Sequence, residues 1–272
     1  MGMRALLRKC LFAAGYVLSR VPSPEIDKYP TAIRPSVPRY LNIGAGTWRH
    51  PMWHNLDNPR DDYSKSRHAD LPFDLTSGGP WPIEDSSLDL IFSSHTIEHL
   101  NDKFVGDLCR EAYRCLRPGG IIRLTTPDMD LYASAYERRD RSFFDYAASA
   151  TNHSIEQSFL QCFAGPLSDF HKGDELPKVS DEEVADAYRT RKNKADFFDR
   201  FCRSIPDELV RAYPKHHKTW FTAEKLCGLL YQFPNARRSG YGQSSSPILR
   251  NTGFFDSTHP QFSLYVEASK PH

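Results

Sequence analysis

Residues 88–100 read LDLIFSSHTIEHL, and two folds compete for them. His95, Glu98 and His99 spell H-x-x-E-H, the signature of the inverted zinc metalloproteases, in which the motif lies within a helix. Two histidines four apart on a helix share one face and can grip one ion, with the glutamate activating its bound water. The alternative is a junction. Leu88, Leu90, Ile91 and Phe92 make a short apolar run, as a strand buried on both faces does, and it delivers Ser93, Ser94 and His95 at its carboxyl end. Glu98 and His99 then open the next helix, where the helix dipole favours Glu98, and His95 and His99 need not share a face. What surrounds the segment decides between the two.

Downstream, Asn101 suits a helix cap, and Phe104, Val105, Leu108, Ala112, Cys115 and Leu116 keep helical spacing until Arg117–Gly120 (RPGG) stops them. A strand follows at once through Ile121, Ile122 and Leu124, ending at TTPD and Asp128. Upstream, Tyr40–Ile43 form a run that breaks at Gly44-Ala45-Gly46. His54–Leu56 end in Asp57, and a third short segment reaches Asp74 and Leu75 before the turn SGGPWP. Late in the chain, Thr222 caps a helix carrying Leu226, Leu229, Leu230 and Phe233, and Phe262–Ser269 (FSLYVEAS) alternates as a closing strand. This rhythm predicts an α/β domain with a largely parallel sheet, whose ligands sit outside the carboxyl ends of the strands. Gly44, Gly46, Asp57, Asp74, His95 and Asp128 are the candidate site residues. With LDLIFSS read as a strand, and no third ligand singled out downstream, no metal is expected.

Between these parts, residues 129–215 are aromatic, charged and helix-forming, which predicts an inserted helical lid. Ser180 and Glu183 match a capping box opening a helix through Val184, Tyr188, Phe197 and Phe201. Tyr132, Phe143, Phe144, Tyr146, Phe159 and Phe163 read mainly as core of the insertion, although aromatic faces also stack on sugars. The chain thus divides into 1–38, 39–128, 129–215 and 216–272: an N-terminal helix with a linker, a cofactor-binding core, the lid, and the rest of the sheet. Within the first part, residues 4–21 make a basic amphipathic helix. It suits packing on the domain or a partner, or peripheral contact with the inner membrane face, and the proline-rich stretch 22–38 leads into the core.

Thirty-five lysines and arginines against 34 acids give a net charge of +1, interspersed rather than blocked, so no nucleic-acid partner is expected. The six cysteines are scattered without a C-x-x-C pair, as reduced, core-filling thiols of a cytoplasmic protein would be.

Two glycines after a buried strand let a ligand approach the backbone, and an acid ending the next strand can accept from both hydroxyls of a ribose. The third glycine of G-x-G-x-x-G is absent, since Arg49 stands there. Asp74 suits an adenine amino group, with Leu75 covering the ring. The plain reading of either acid is a cap or a solvated turn.

The ordered set LNIGAG, HNLDN, FDLTSGGPWPIEDSSLDLIFSSHTIEHL and EAYRCLRPGGIIRLTTPD resembles the class I S-adenosylmethionine-dependent methyltransferases. It is especially similar to small methyltransferase-type proteins of bacterial surface-polysaccharide biosynthesis. The resemblance covers residues 39–128 and, at SLYVEASK, the family's last strand. It implies a Rossmann-like α/β fold with a mainly parallel seven-stranded sheet, an antiparallel last strand and S-adenosylmethionine as cofactor. Asn42, Gly44 and Gly46 fall on the family's glycine loop, Asp57 on its ribose acid, Asp74 and Leu75 on its adenine side, and Ser93 to His95 on the strand end facing the sulfonium. O-methylation of a sugar or glycan acceptor is the implied activity. His95 is then the base or a residue shaping the pocket, and Asp128 a second base or an orienter. His153, His171, His216 and His217 lie in or beside the lid, and Gly240–Arg250 (GYGQSSSPILR) is either an acceptor loop or a plain connection. Two other readings compete: a noncatalytic cofactor-sensing or assembly protein on the same fold, and a zinc hydrolase built on H-x-x-E-H.

Overall fold

The computed structural model describes residues 39–58, 69–147, 152–170 and 178–272. The expected amphipathic helix and linker of residues 1–38, with Cys10, and His171 lie outside the described residues. Seven strands form one sheet in the order β3-β2-β1-β4-β5-β7-β6. They are β1 (Tyr40–Ile43), β2 (His54–Asp57), β3 (Leu71–Pro72), β4 (Leu88–Ser94), β5 (Leu116–Pro127), β6 (Arg237–Ser239) and β7 (Ser263–Ser269). β1 pairs in parallel with both β2 and β4, β4 with β5, and β2 with β3, whereas β7 runs antiparallel to β5 and β6. This is the Rossmann-like class I methyltransferase arrangement. The chain leaves β1 toward one edge and returns at β4 toward the other, so a crevice opens between their carboxyl ends.

Strand period assigns the faces. Leu41, Ile43 and Ile91 enter the large core beneath the helices, while Leu90, Phe92 and Trp53 join Leu249 and Phe255 in a smaller core on the opposite side. Helix α1 (Asp102–Cys115) starts where Asn101 Oδ1 accepts from the Phe104 N–H at 3.1 Å. It buries Phe104, Val105, Leu108, Cys109, Ala112 and Cys115.

The described residues between 129 and 215 form α2 (Met129–Glu137), α3 (Arg141–Ala147), α4 (Ile155–Ala164), α5 (Asp181–Thr190), α6 (Lys194–Cys202) and α7 (Asp207–Ala212). Ser180 caps α5 as the capping-box spacing predicts, its Oγ accepting from the Glu183 N–H at 3.2 Å. The single helix expected through Phe201 is two, because Asn193 Oδ1 accepts from the Asp196 N–H at 2.8 Å and starts a second. Phe159, Phe163, Phe197 and Phe198 pack ring on ring in full burial, continuous with the core of the sheet. These aromatics are packing residues, and Tyr146, 67% exposed, is the exception. Helix α8 (Ala223–Leu229) is capped by Thr222 and packs on β7. Cys109, Cys115, Cys162 and Cys202 are buried free thiols, and burial pushes the first two up to about 12. Among the described residues no helix is long and apolar enough to cross a membrane.

A buried ion pair ties β5 to the late part of the chain. Arg123 on β5, fully buried, pairs with Asp256 through Nε–Oδ1 at 2.9 Å and Nη2–Oδ2 at 2.6 Å and also donates to Gly240 O. The polar stretch 240–250 wraps this pair. Ser244 Oγ and the Ser245 N–H donate to Glu267, and Arg250 Nε donates to Ser244 O. These groups therefore hold the loop itself.

Candidate active site

A cavity of about 800 Å³, counting its solvent-facing mouth, lies at the carboxyl ends of β1, β2 and β4. After Ile43 the chain turns back through Gly44 (φ +67) and Gly46 (φ +54), both left-handed and so suited to glycine. A Cβ on Gly44 would stand 2.2 Å from Thr96 Oγ1, so this loop packs directly on the residue after His95. A Cβ on Gly46 would meet nothing within 4 Å, and here the bare backbone faces open space on the cavity wall. The Gly46 N–H donates to Asp57 Oδ2 and the Asn58 N–H to Oδ1, each at 2.8 Å. Each oxygen keeps a second lone pair for a ligand.

Asp74, Leu75 and Thr76 form the next wall. Asp74 Oδ1 accepts from the Thr76 N–H at 2.8 Å and from Thr76 Oγ1 at 2.7 Å, which fixes the turn after β3. Leu100, Val210, Pro214 and Lys215 close the far side, so the insertion reaches the cavity through its last helix, α7, and the residues after it. Three predicted residues lie elsewhere. Asn42 lines a recess beside Trp48 and Phe92, the buried Ser93 Oγ donates to Ile43 O at 3.1 Å, and Asp128 caps α2 and binds Arg238 Nη2 at 2.7 Å. Burial raises the Asp128 carboxyl, against the pull of Arg238.

His95 lines the cavity from a left-handed backbone at φ +49, an uncommon conformation for a side-chain-bearing residue and one that recurs at functional sites. Its Nε2 lies 2.7 Å from Ser263 Oγ and its Nδ1 lies 3.1 Å from Glu98 Oε1. Glu98 sits on a 3-10 turn, Ile97–His99, and is 1% exposed. Burial opposes its charge, yet His95, His99 and His217 outweigh burial and hold it down at about 2. Burial is the main influence lowering His99, to about 3, and it lowers His217 too, so both imidazoles are neutral at physiological pH. Buried Lys218, which burial lowers to about 7, donates to His99 O at 3.2 Å and His216 O at 2.7 Å. Glu98 enters the sequence reading only through the zinc motif and His217 only as a histidine beside the lid, and nothing in the sequence singles out Thr96 or Lys218. His153, instead, pairs with Asp169 at 2.8 Å.

The cavity fits a nucleoside with a charged tail: open backbone at Gly46, a carboxylate with free lone pairs at Asp57, and an apolar wall at Phe73 and Leu75. Residues 55–124 match the protein family described as "Methyltransferase domain". That match and the strand order agree on a Rossmann-like methyltransferase fold. Its cofactor is S-adenosylmethionine.

The chain is similar to phosphoethanolamine N-methyltransferase 2 of Caenorhabditis elegans, with 20% identity over 172 residues. The match takes in 59% of this chain and 38% of that protein, so the chain spans well under half the length of this curated relative. Among solved structures it is similar to a SAM-dependent methyltransferase of Thermotoga maritima, described as a possible histamine N-methyltransferase. Identity there is 14%, coverage 85% and 82% of the two chains, and the TM-score 0.41. A second is the S-adenosylmethionine-dependent methyltransferase of Mesorhizobium loti, at 14% identity, 88% and 94% coverage and a TM-score of 0.39. At such values the likeness adds nothing to the strand order.

Proposed function

We propose that the protein transfers the methyl group of S-adenosylmethionine to a hydroxyl of a sugar or polysaccharide intermediate. The observation that carries the reading is one cavity with the glycine loop and Asp57 on one wall and His95 on another. When bound, S-adenosylmethionine supplies a methyl group already activated by the sulfonium. Gly46 and Asp57 hold the amino-acid and ribose ends, Asp74 and Leu75 the adenine end, and the chain positions an acceptor in line. Transfer to a hydroxyl also requires loss of its proton. His95 serves as the acceptor of that proton, with Glu98 orienting the ring through Nδ1 and stabilising its charged form. The sugar class is supported by the resemblance of SSHTIEHL and its neighbours to polysaccharide-associated methyltransferases.

Calorimetry with S-adenosylhomocysteine, followed by radiolabelled methyl transfer into glycan and sugar-nucleotide pools, tests this, with phosphoethanolamine as the competing acceptor. Saturable binding and label in a glycan support the reading. Label only in phosphoethanolamine replaces the acceptor, binding without transfer to any pool points to a noncatalytic cofactor sensor, and no binding overturns the cofactor site.

A further inference from the structure

We propose that Glu98, His99 and His217 form a divalent transition-metal site beside the cofactor cavity. One ligand atom from each lies within 4.8 Å of the other two. The imidazoles are wired from behind: His99 Nδ1 faces His216 O at 3.2 Å, and His217 Nδ1 faces Cys162 O at 2.8 Å. A backbone carbonyl accepts only, so each ring carries its proton on Nδ1 and presents an Nε2 lone pair. That is how metal-binding histidines are oriented, by a second partner that fixes tautomer and ring plane. The two rings stand 4.9 Å apart, inclined at 72°. Glu98 adds the third lone pair. Its Oε2 accepts from Thr126 Oγ1 at 3.2 Å, and the buried Oε1 lies 3.1 Å from His95 Nδ1 and 4.0 Å from His217 Nε2. Two imidazole lone pairs and a carboxylate oxygen within 4.8 Å repel one another, and a cation between them removes that repulsion.

Size and ligand type indicate which cation. Two ligands about 2.1 Å from a tetrahedral ion stand roughly 3.4 Å apart, so ligand atoms lying within 4.8 Å of one another, Glu98 and His217 at 4.0 Å, close on it through side-chain movements on the order of an ångström. Two imidazoles and one carboxylate suit zinc, cobalt or iron better than magnesium or calcium, which prefer all-oxygen sites. Three protein ligands leave open positions on the ion, and His99 is shared with the cavity wall. This differs from the protease pattern, because His95 is not a ligand and Glu98 is. Catalytic use of the ion rests on the methyl-transfer reading: a hydroxyl bound to it loses its proton more readily, the proton passing to His95. Occupancy of the site does not rest on that reading.

The test uses the full chain, stripped with a chelator and desalted, titrated with Co²⁺ by visible absorption and with Zn²⁺ by calorimetry. One equivalent is expected, with d–d bands that Zn²⁺ displaces and with no saturable heat from Mg²⁺. His99→Ala and His217→Gln should each weaken binding at least about tenfold, while S-adenosylhomocysteine binding by His217→Gln reports an intact fold. A wild-type chain without saturable Co²⁺ or Zn²⁺ binding overturns the proposal, as does unchanged affinity in both variants. A chain that binds the metal but not S-adenosylhomocysteine leaves this site standing and sinks the transfer reading.

Discussion

Replacing Gly44 by alanine probes the closest packing in the site. At φ +67 a side chain costs about 1–2 kcal/mol in backbone conformation. The added carbon would also lie 2.2 Å from Thr96 Oγ1, 2.4 Å from Cγ2 and 2.8 Å from Cβ. Rotating Thr96 moves its Oγ1 and Cγ2 but leaves Cβ in place, so one of the two backbones must shift, and overpacking of this kind costs about 1–3 kcal/mol. Together these give roughly 2–5 kcal/mol, a large part of the 5–15 kcal/mol that holds a typical domain together. Urea denaturation should show a lower midpoint with an unchanged slope, and calorimetry a matching loss of S-adenosylhomocysteine affinity. Thr96→Gly removes all three contacts, so the double variant should recover the steric part and keep only the backbone part. Gly46→Ala is the contrast. At φ +54 with nothing within 4 Å it should lose only about 1–2 kcal/mol of stability, while its new carbon enters the cavity and weakens the cofactor product. If Gly44→Ala unfolds like wild type, or if Thr96→Gly leaves its loss untouched, the packing argument fails.

Asp57→Asn keeps the shape but turns an amide NH₂ toward either the Gly46 or the Asn58 N–H, leaving a donor unsatisfied at about 1–3 kcal/mol. S-adenosylhomocysteine affinity should fall at least tenfold, and an unchanged affinity would remove Asp57 from the site. Arg123→Met strands Asp256 in the core and should cost about 3–5 kcal/mol in chemical denaturation, of which Arg123→Met/Asp256→Asn recovers part. Acid should destabilise the protein in two overlapping windows. His99, at about 3 folded against 6.5 unfolded, stays neutral while the unfolded chain takes up a proton, so stability is lost as pH falls from 6.5 to 3. Glu98, at about 2 against 4.5, adds a loss from pH 4.5 to 2. His99→Gln should flatten the curve between pH 6.5 and 4.5, and a variant with the wild-type slope there would show that His99 is not the titrating group. His95→Gln should lower turnover while leaving S-adenosylhomocysteine affinity within a few fold, and unchanged turnover would remove His95 from the transfer step.

Local rules made most of the scaffold readable. Asn101, Ser180 and Thr222 cap helices because a short polar side chain before an apolar periodic run has a backbone N–H within reach. β6 is not legible in the sequence, since Arg237–Ser239 carry no apolar pattern and, among the described residues, pair at the sheet edge with β7 alone. The split at Asn193 was missed because apolar period persists across it. At the site, Gly44, Gly46, Asp57, Asp74, Leu75 and His95 meet in one cavity. Asn42 and Ser93 do not line it, because strand alternation turns Asn42 to the other face and Ser93 is taken up by the Ile43 carbonyl. Arg123 reads as an ordinary strand residue until Asp256, 133 positions later, is folded against it.

SSHTIEHL shows why spacing alone could not settle the metal question. The protease motif needs His95 and His99 on one helical face, and that fails because β4 carries the chain to Ser94 as a strand. What the strand leaves behind is a 3-10 turn whose carbonyl at Glu98 accepts the Lys218 N–H at 2.7 Å and, more weakly, the Thr219 N–H at 3.4 Å. Those backbone bonds bring residues 217–219 against the turn, and Lys218 Nζ ties the two carbonyl groups on either side. His217 is therefore a long-range neighbour of Glu98 and His99, placed by main-chain pairing that no local periodicity encodes. The carboxylate that would serve as a base in the protease pattern faces instead His95, beside the cofactor cavity, and His217, outside its wall. One side chain so positioned links the orientation of His95 to the pair of imidazoles behind it. Glu98→Gln should therefore lower both Co²⁺ affinity and turnover while S-adenosylhomocysteine affinity holds, and a loss of only one of the two would separate the cluster from the cavity.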